Sequence, residues 1–208
     1  RTSLVLAREL ASATIDGAPS HLETFELGDT DGQLPGIVLA LQAASEGPLT
    51  DTFFYWEAIG GIIPTQVDPF EILGGALTNG AYDWAGVRNV TATYQGSAAI
   101  RELAGAHGTR IDFLGVILAL GYLDTAFQKQ RSAMLTARLA AGLGADGIVC
   151  TTFSSGNSHT DTMLTVRACE SLGVRTVALV AGTNGGLTDP VPEAGCRVGP
   201  GTEDGPVE

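Results

Sequence analysis

Charge is scarce in this chain. Asp, Glu, Lys and Arg make up 16% of its 208 residues, where soluble domains average about a quarter. With 44% hydrophobic residues and a mean hydropathy of +0.20, the composition excludes disorder, and the low surface charge points to surface covered by a partner. The charge present is one-sided: 11 Lys and Arg against 23 Asp and Glu give −12. Such a chain repels phosphate backbones, which excludes nucleic acid as a partner. Cysteine is sparse as well. Cys150, Cys169 and Cys196 form neither a CxxC pair nor an even framework, and they read as two buried thiols and one loop thiol of a reduced, cytoplasmic protein. Apolar runs such as Ile111–Leu120 fall well short of the roughly 20 residues needed to cross a bilayer. At the start of the chain, Arg8 and Glu9 interrupt the apolar stretch a signal peptide would need. There is no GxGxxG after a strand, no phosphate-binding Walker loop, no HExxH and no GxSxG. His and Cys lack metal-ligand spacing.

What remains fits one α/β domain over residues 1–208. The second half is the more regular. Ile111–Ala119, Gly147–Thr152 and Val174–Val180 are continuous apolar runs rich in β-branched residues, as expected of strands covered on both faces. Between them, Asp124 is placed to cap a helix over Thr125–Ala141 with Leu135, Leu139 and Leu143 on its apolar face. Ser158 and Asp161 fit a capping box opening a second helix to about Leu172. Alternating strands and helices predict a parallel sheet with flanking helices, a Rossmann-like βαβαβ unit. In the first half, Thr2–Ala13 reads as a short amphipathic helix, Gly36–Gln42 as a buried strand and Ser97–Ala106 as a helix. Residues 48–89 form an irregular, β-rich excursion carrying Phe53, Phe54, Tyr55 and Trp56, the kind of long loop that serves function or an interface. Those aromatics fit either a subunit interface or ordinary core. Residues 182–208 read as a loop-like tail.

Ligands of open parallel sheets bind beyond the carboxyl ends of the strands. Three loops qualify: Gly121-Tyr122, Phe153–His159 and Gly182–Gly186. The middle one collects small, hydroxylic and amide residues ahead of a helix N-terminus, whose free N–H groups favour an anion. It is either a well-capped turn or a site in which Ser155, Asn157, His159 and Thr160 hold a small anionic group. The helix dipole favours a neutral His159 ring able to relay a proton. Cys150 and Cys169 read as packing residues.

Several segments together resemble a known family. Lys129-Gln-Arg-Ser132, Leu143-Gly-Ala-Asp-Gly-Ile148 and Gly156-Asn-Ser-His-Thr-Asp161 are similar to the pyruvoyl-carrying subunit precursor of glycine/sarcosine/betaine reductase component B. Gly60–Leu77 and Asp112–Ile117 match the same pattern in order and spacing, so that the likeness runs from about Leu4 to Gly182. The resemblance implies a precursor that cleaves itself before a cysteine and leaves a pyruvoyl group. It also implies a larger thiol- or selenol-bearing reductase subunit as partner in a hetero-oligomer. Self-cleavage by acyl shift and elimination needs a heteroatom on Cβ. The matching position falls at Gly80-Ala81-Tyr82, and no Cys or Ser lies between Ile59 and Ser97. No pyruvoyl cofactor is therefore expected, and Tyr82 or Asn79 is expected to contact substrate where the carbonyl would have stood. Three functions follow: a subunit of a reductase-like enzyme acting on a small amine or carboxylate, a structural or regulatory subunit of such a complex, or a free-standing small-molecule binding domain.

Overall fold

A computed structural model describes residues 24–44, 52–79, 91–152, 157–181 and 197–201, together with Val5, Glu9, Ser12 and Gly17. Val5, Glu9 and Ser12 are helical; the rest of the helix expected at Thr2–Ala13 lies outside the described residues.

Two sheets organise them. The larger has the order β4-β6-β1-β7-β8-β9, built from β1 (Gly36–Ala44), β4 (Thr65–Val67), β6 (Asp112–Gly121), β7 (Gly147–Thr152), β8 (Arg175–Ala181) and β9 (Arg197–Gly201). Five strands run parallel and β4 pairs antiparallel to β6. The smaller sheet, β3-β2-β5, joins β2 (Thr52–Phe54), β3 (Glu57–Ala58) and β5 (Leu77–Asn79) antiparallel.

The strands expected at 111–119, 147–152 and 174–180 all run the same way, but the first two are not neighbours: β1 lies between β6 and β7. The centre goes to the strand apolar on both faces. Leu39, Leu41 and Ala43 pack on one side with Val116, Leu118 and Leu120, while Val38 and Ala40 pack on the other with Ile117, Ile148 and Cys150. Each fully buried aliphatic side chain in these layers contributes about 1.5–3 kcal/mol. The chain thus leaves β1 for a neighbour on one side, then crosses back to its other side, so a topological switch lies between β1 and β7. Arg197–Gly201, inside the tail read as loop, forms edge strand β9.

Helices cover both faces. On one face lie α1 (Pro69–Leu73), α2 (Thr91–Gln95) and α3 (Ala98–Ala106), which bury Ile72, Tyr94 and Ile100. On the other lie α4 (Ala126–Gly142) and α5 (Asn157–Ser171). α1 and α2 each have five residues, too short to show a helical period; the Asp68 cap followed by Pro69 is the local signal for α1.

Two expected caps are corrected. Thr125, not Asp124, caps α4, through a reciprocal box with Gln128, because the residue three positions beyond Asp124 is Phe127 and carries no acceptor. Ser158 is not an N-cap; it lies within α5, buried, and Asp161 is spent elsewhere. The leucine stripe expected on α4 is also displaced. Lys129, Ala133, Thr136, Ala137 and Ala140 form its buried face, where the alanines and the threonine let α5 and the sheet approach closely, while Leu139 and Leu143 pack at its margin.

A β-bulge sets the register where β6 meets β1. Ile37 pairs with Phe113 and Val38 with Gly115, so Leu114 is the extra residue and Gly115, at φ +116°, takes a conformation that side chains rarely adopt.

Candidate functional site

The carboxyl ends of β6 and β1 meet the first turn of α5, and one buried ion pair ties them together. Lys129, the chain's single lysine, extends from α4 to place Nζ 2.7 Å from Asp161 Oδ1. The other carboxylate oxygen accepts the backbone N–H groups of Tyr122 at 2.8 Å and Leu123 at 3.3 Å. Burial outweighs the Lys129 ammonium and these two amides and raises the Asp161 carboxyl above its ordinary range. Asn157 Nδ2 donates to the Leu123 carbonyl at 3.2 Å, and Gln42 Nε2 reaches from β1 to the Ser158 carbonyl at 3.3 Å. Gly121 permits this approach: a Cβ there would sit 2.4 Å from Gln42 Cδ.

The ties hold Tyr122 at φ +64°, a left-handed conformation that costs a side-chain-bearing residue about 1–3 kcal/mol. Three backbone segments that converge only in the folded chain are thereby locked at the strand ends where ligands of parallel sheets bind.

His159 stands on this turn. Its Nε2 is buried and has no hydrogen-bond partner among the described residues, and burial lowers the ring's pKa below its ordinary value. The ring is therefore neutral at pH 7, able to accept or relay a proton through a nitrogen not otherwise engaged within that set. Elsewhere at the carboxyl end of β6, a small pocket between the Gly61–Pro64 loop and α4 is floored by Leu120 and Leu123 and edged by Gln128, Arg131 and Ser132. The Arg131 guanidinium lies over the exposed Phe127 ring, 5.8 Å from its centroid, and offers a planar donor suited to a carboxylate.

The residues expected from sequence divide as follows. Asn157, His159 and Thr160 share the first turn of α5, with Thr160 exposed and the Asn157 amide used for the Leu123 latch. Asn79 belongs to the small sheet: its side chain donates to Thr52 Oγ1 at 3.1 Å, and its backbone N–H donates to Thr91 Oγ1 at 3.0 Å. Tyr82 and Ser155 lie outside the described residues. Lys129, Asp161, Gln42 and Arg131 went unnoticed as site residues. A lone lysine on the inward side of a helix was a legible signal; the ammonium's partner, 32 residues away, was not. Among the described residues no cluster of His, Cys, Asp or Glu is arranged to hold a metal, and no helix is long and apolar enough to cross a membrane.

The model of the glycine/sarcosine/betaine reductase component B subunits matches residues 2–202. The chain belongs to this family. The alpha subunit of the betaine reductase complex component B of Peptoclostridium acidaminophilum is 32% identical over 184 residues, 84% of this chain and 41% of that protein. The protein described as glycine reductase complex component B subunits alpha and beta from Acetoanaerobium sticklandii is 32% identical over 70% of this chain and 34% of its own length. The sarcosine reductase counterpart from P. acidaminophilum is 28% identical over 92% of this chain and 47% of its own. The chain thus spans less than half the length of these component B relatives. No solved structure matches it.

Proposed function

We propose that this component B homologue is a subunit of a glycine/sarcosine/betaine reductase-like complex in the cytoplasm, acting on a small amine or carboxylate without cutting itself. The observation that carries the reading is a family match over nearly the whole chain, combined with a sequence at Gly80-Ala81-Tyr82 that has no sulfur or oxygen on Cβ to support pyruvoyl formation. The nearby hydroxyls fit the group no better. Thr78 lies in the β5 ladder opposite Phe53, and the Thr91 hydroxyl is occupied by the Asn79 backbone, accepting from its N–H and donating to its carbonyl.

With no electrophilic carbonyl, the substrate is held by hydrogen bonds and charge and need not be an amine. The helix-start turn with Ser155, Asn157, His159 and Thr160 receives its anionic group, and Arg131 supplies positive charge at the pocket beside α4. The neutral His159 ring exchanges the proton, Asn79 contributes from the small sheet, and Tyr82 completes the contact with the substrate. The bond-breaking reduction belongs to a larger thiol- or selenol-bearing subunit. The carboxyl-end site of a Rossmann-like sheet is the scaffold for these contacts.

The test is reconstitution of the full-length chain with the larger subunit, followed by turnover of small amines and carboxylates with a dithiol donor. His159→Gln is expected to lower kcat at least tenfold. One observation favours a second reading, a non-catalytic subunit: the Asn157 amide and both Asp161 oxygens are consumed by internal ties. Turnover unchanged in both His159→Gln and Asn157→Ala would select it.

A further inference from the structure

The hairpin joining β2 to β3 is built against local preference. Phe54 pairs with Glu57, leaving Tyr55 and Trp56 as the two turn residues, at φ +49° and +70°. Two-residue hairpin turns of this hand favour Asn-Gly or Asp-Gly, since both positions are left-handed, and a large aromatic in either costs stability. Tyr55 has local support: its ring packs edge-on against Phe54 at 4.8 Å, its N–H donates to the Ala76 carbonyl, and the Glu71 carboxylate acts on its hydroxyl, raising its pKa. Trp56 is 86% exposed and makes no ring contact among the described residues. The fold thus fixes the turn and directs a large apolar side chain into water.

The surrounding charge is of one sign. Glu57, Asp68 and Glu71 are exposed, and the latter two act on the Tyr55 hydroxyl. Residues 9–87 contain 12 of the chain's 23 acids and none of its 11 Lys and Arg, so the whole formal charge of −12 resides in this stretch. A second copy of the chain would present the same acids and be repelled. From the strained turn, the exposed indole and this one-signed rim, we infer that the Tyr55-Trp56 tip is a docking anchor: Trp56 enters an apolar pocket on the larger subunit, and a rim of Arg and Lys around that pocket meets Glu57, Asp68 and Glu71. Buried tryptophans at interface centres carry a disproportionate share of affinity, and opposite charge across the rim speeds association. The identity of the occupant rests on the function proposed above.

The test is calorimetric titration of the full-length chain with the purified larger subunit, at low and at physiological salt. Trp56→Ala is expected to weaken binding about thirtyfold or more, as a central anchor does, and raised salt to weaken the wild type. Tyr55→Asn combined with Trp56→Gly supplies the preferred turn, so it is expected to raise Tm while weakening binding; a merely structural tip would not separate the two. A complex formed normally by Trp56→Ala would overturn the anchor and leave the subunit reading intact. No complex with wild type would remove both. A wild-type homodimer dissolved by Trp56→Ala would assign the tip to self-association and overturn the inference.

Discussion

Replacing Lys129 by Met tests the ion pair that locks the candidate site. At 2.7 Å the attraction is about 6 kcal/mol for an effective dielectric near 20, but side-chain exposures of 11% and 4% mean that desolvation of both charges offsets much of it. Removing one partner leaves the other buried and uncompensated, a loss of about 3–5 kcal/mol, or roughly 6–20 °C in Tm for a chain of this size. Asp161→Asn should cost a similar amount. The double variant, with neither charge, should fall within about 1.5 kcal/mol of wild type, since desolvation and attraction vanish together. The sign with pH follows from the raised Asp161 carboxyl. Its protonated form favours folding at low pH, and that contribution is lost as pH rises through the folded-state value. The Lys129→Met deficit should therefore shrink as pH falls through the folded-state value, where Asp161 takes a proton. Urea unfolding followed by circular dichroism measures all of these. A deficit below about 1 kcal/mol for Lys129→Met, or a double variant no better than the singles, would refute the reasoning.

Gly121→Ala should destabilise by about 1–3 kcal/mol through displacement of Gln42 from the Ser158 carbonyl, read from the same unfolding curves. His159, its pKa lowered by burial, favours folding above its unfolded value near 6.5, and that support fades as pH falls through the folded value; His159→Gln should flatten the decline in stability between pH 7 and 5. The Cys169 thiol is pushed up to about 12 by burial and the Glu170 charge, and Cys150 is buried. In a Cys196→Ser background the native protein should therefore leave a thiol reagent unconsumed at pH 8 and consume two equivalents on unfolding; rapid native labelling would contradict the packing.

The strands and long helices were legible because their apolar runs are continuous: Ile111–Ala119 lies almost wholly within β6, and the helix read over Ser97–Ala106 is α3, with Ser97 as its cap through the Ile100 N–H. Strand neighbours were not, since a run such as Gly36–Gln42 says that it is buried but not between which partners. Asp161 shows the same limit at the site. Its spacing from Ser158 suggested a capping box, and only the fold, by bringing Lys129 and the Tyr122 amide to it, reveals a tertiary partner. The tip at Tyr55-Trp56 was legible as aromatic but not as exposed, because its backbone conformation contradicts its residue types.

The most direct test is the intact mass of the full-length chain isolated with its partner, before and after treatment with a carbonyl-reactive hydrazine. One unbroken polypeptide through residues 78–82, unchanged by the reagent, is the expected result. A fragment starting near residue 80 and gaining the mass of a hydrazone would show that the chain makes its own ketone after all.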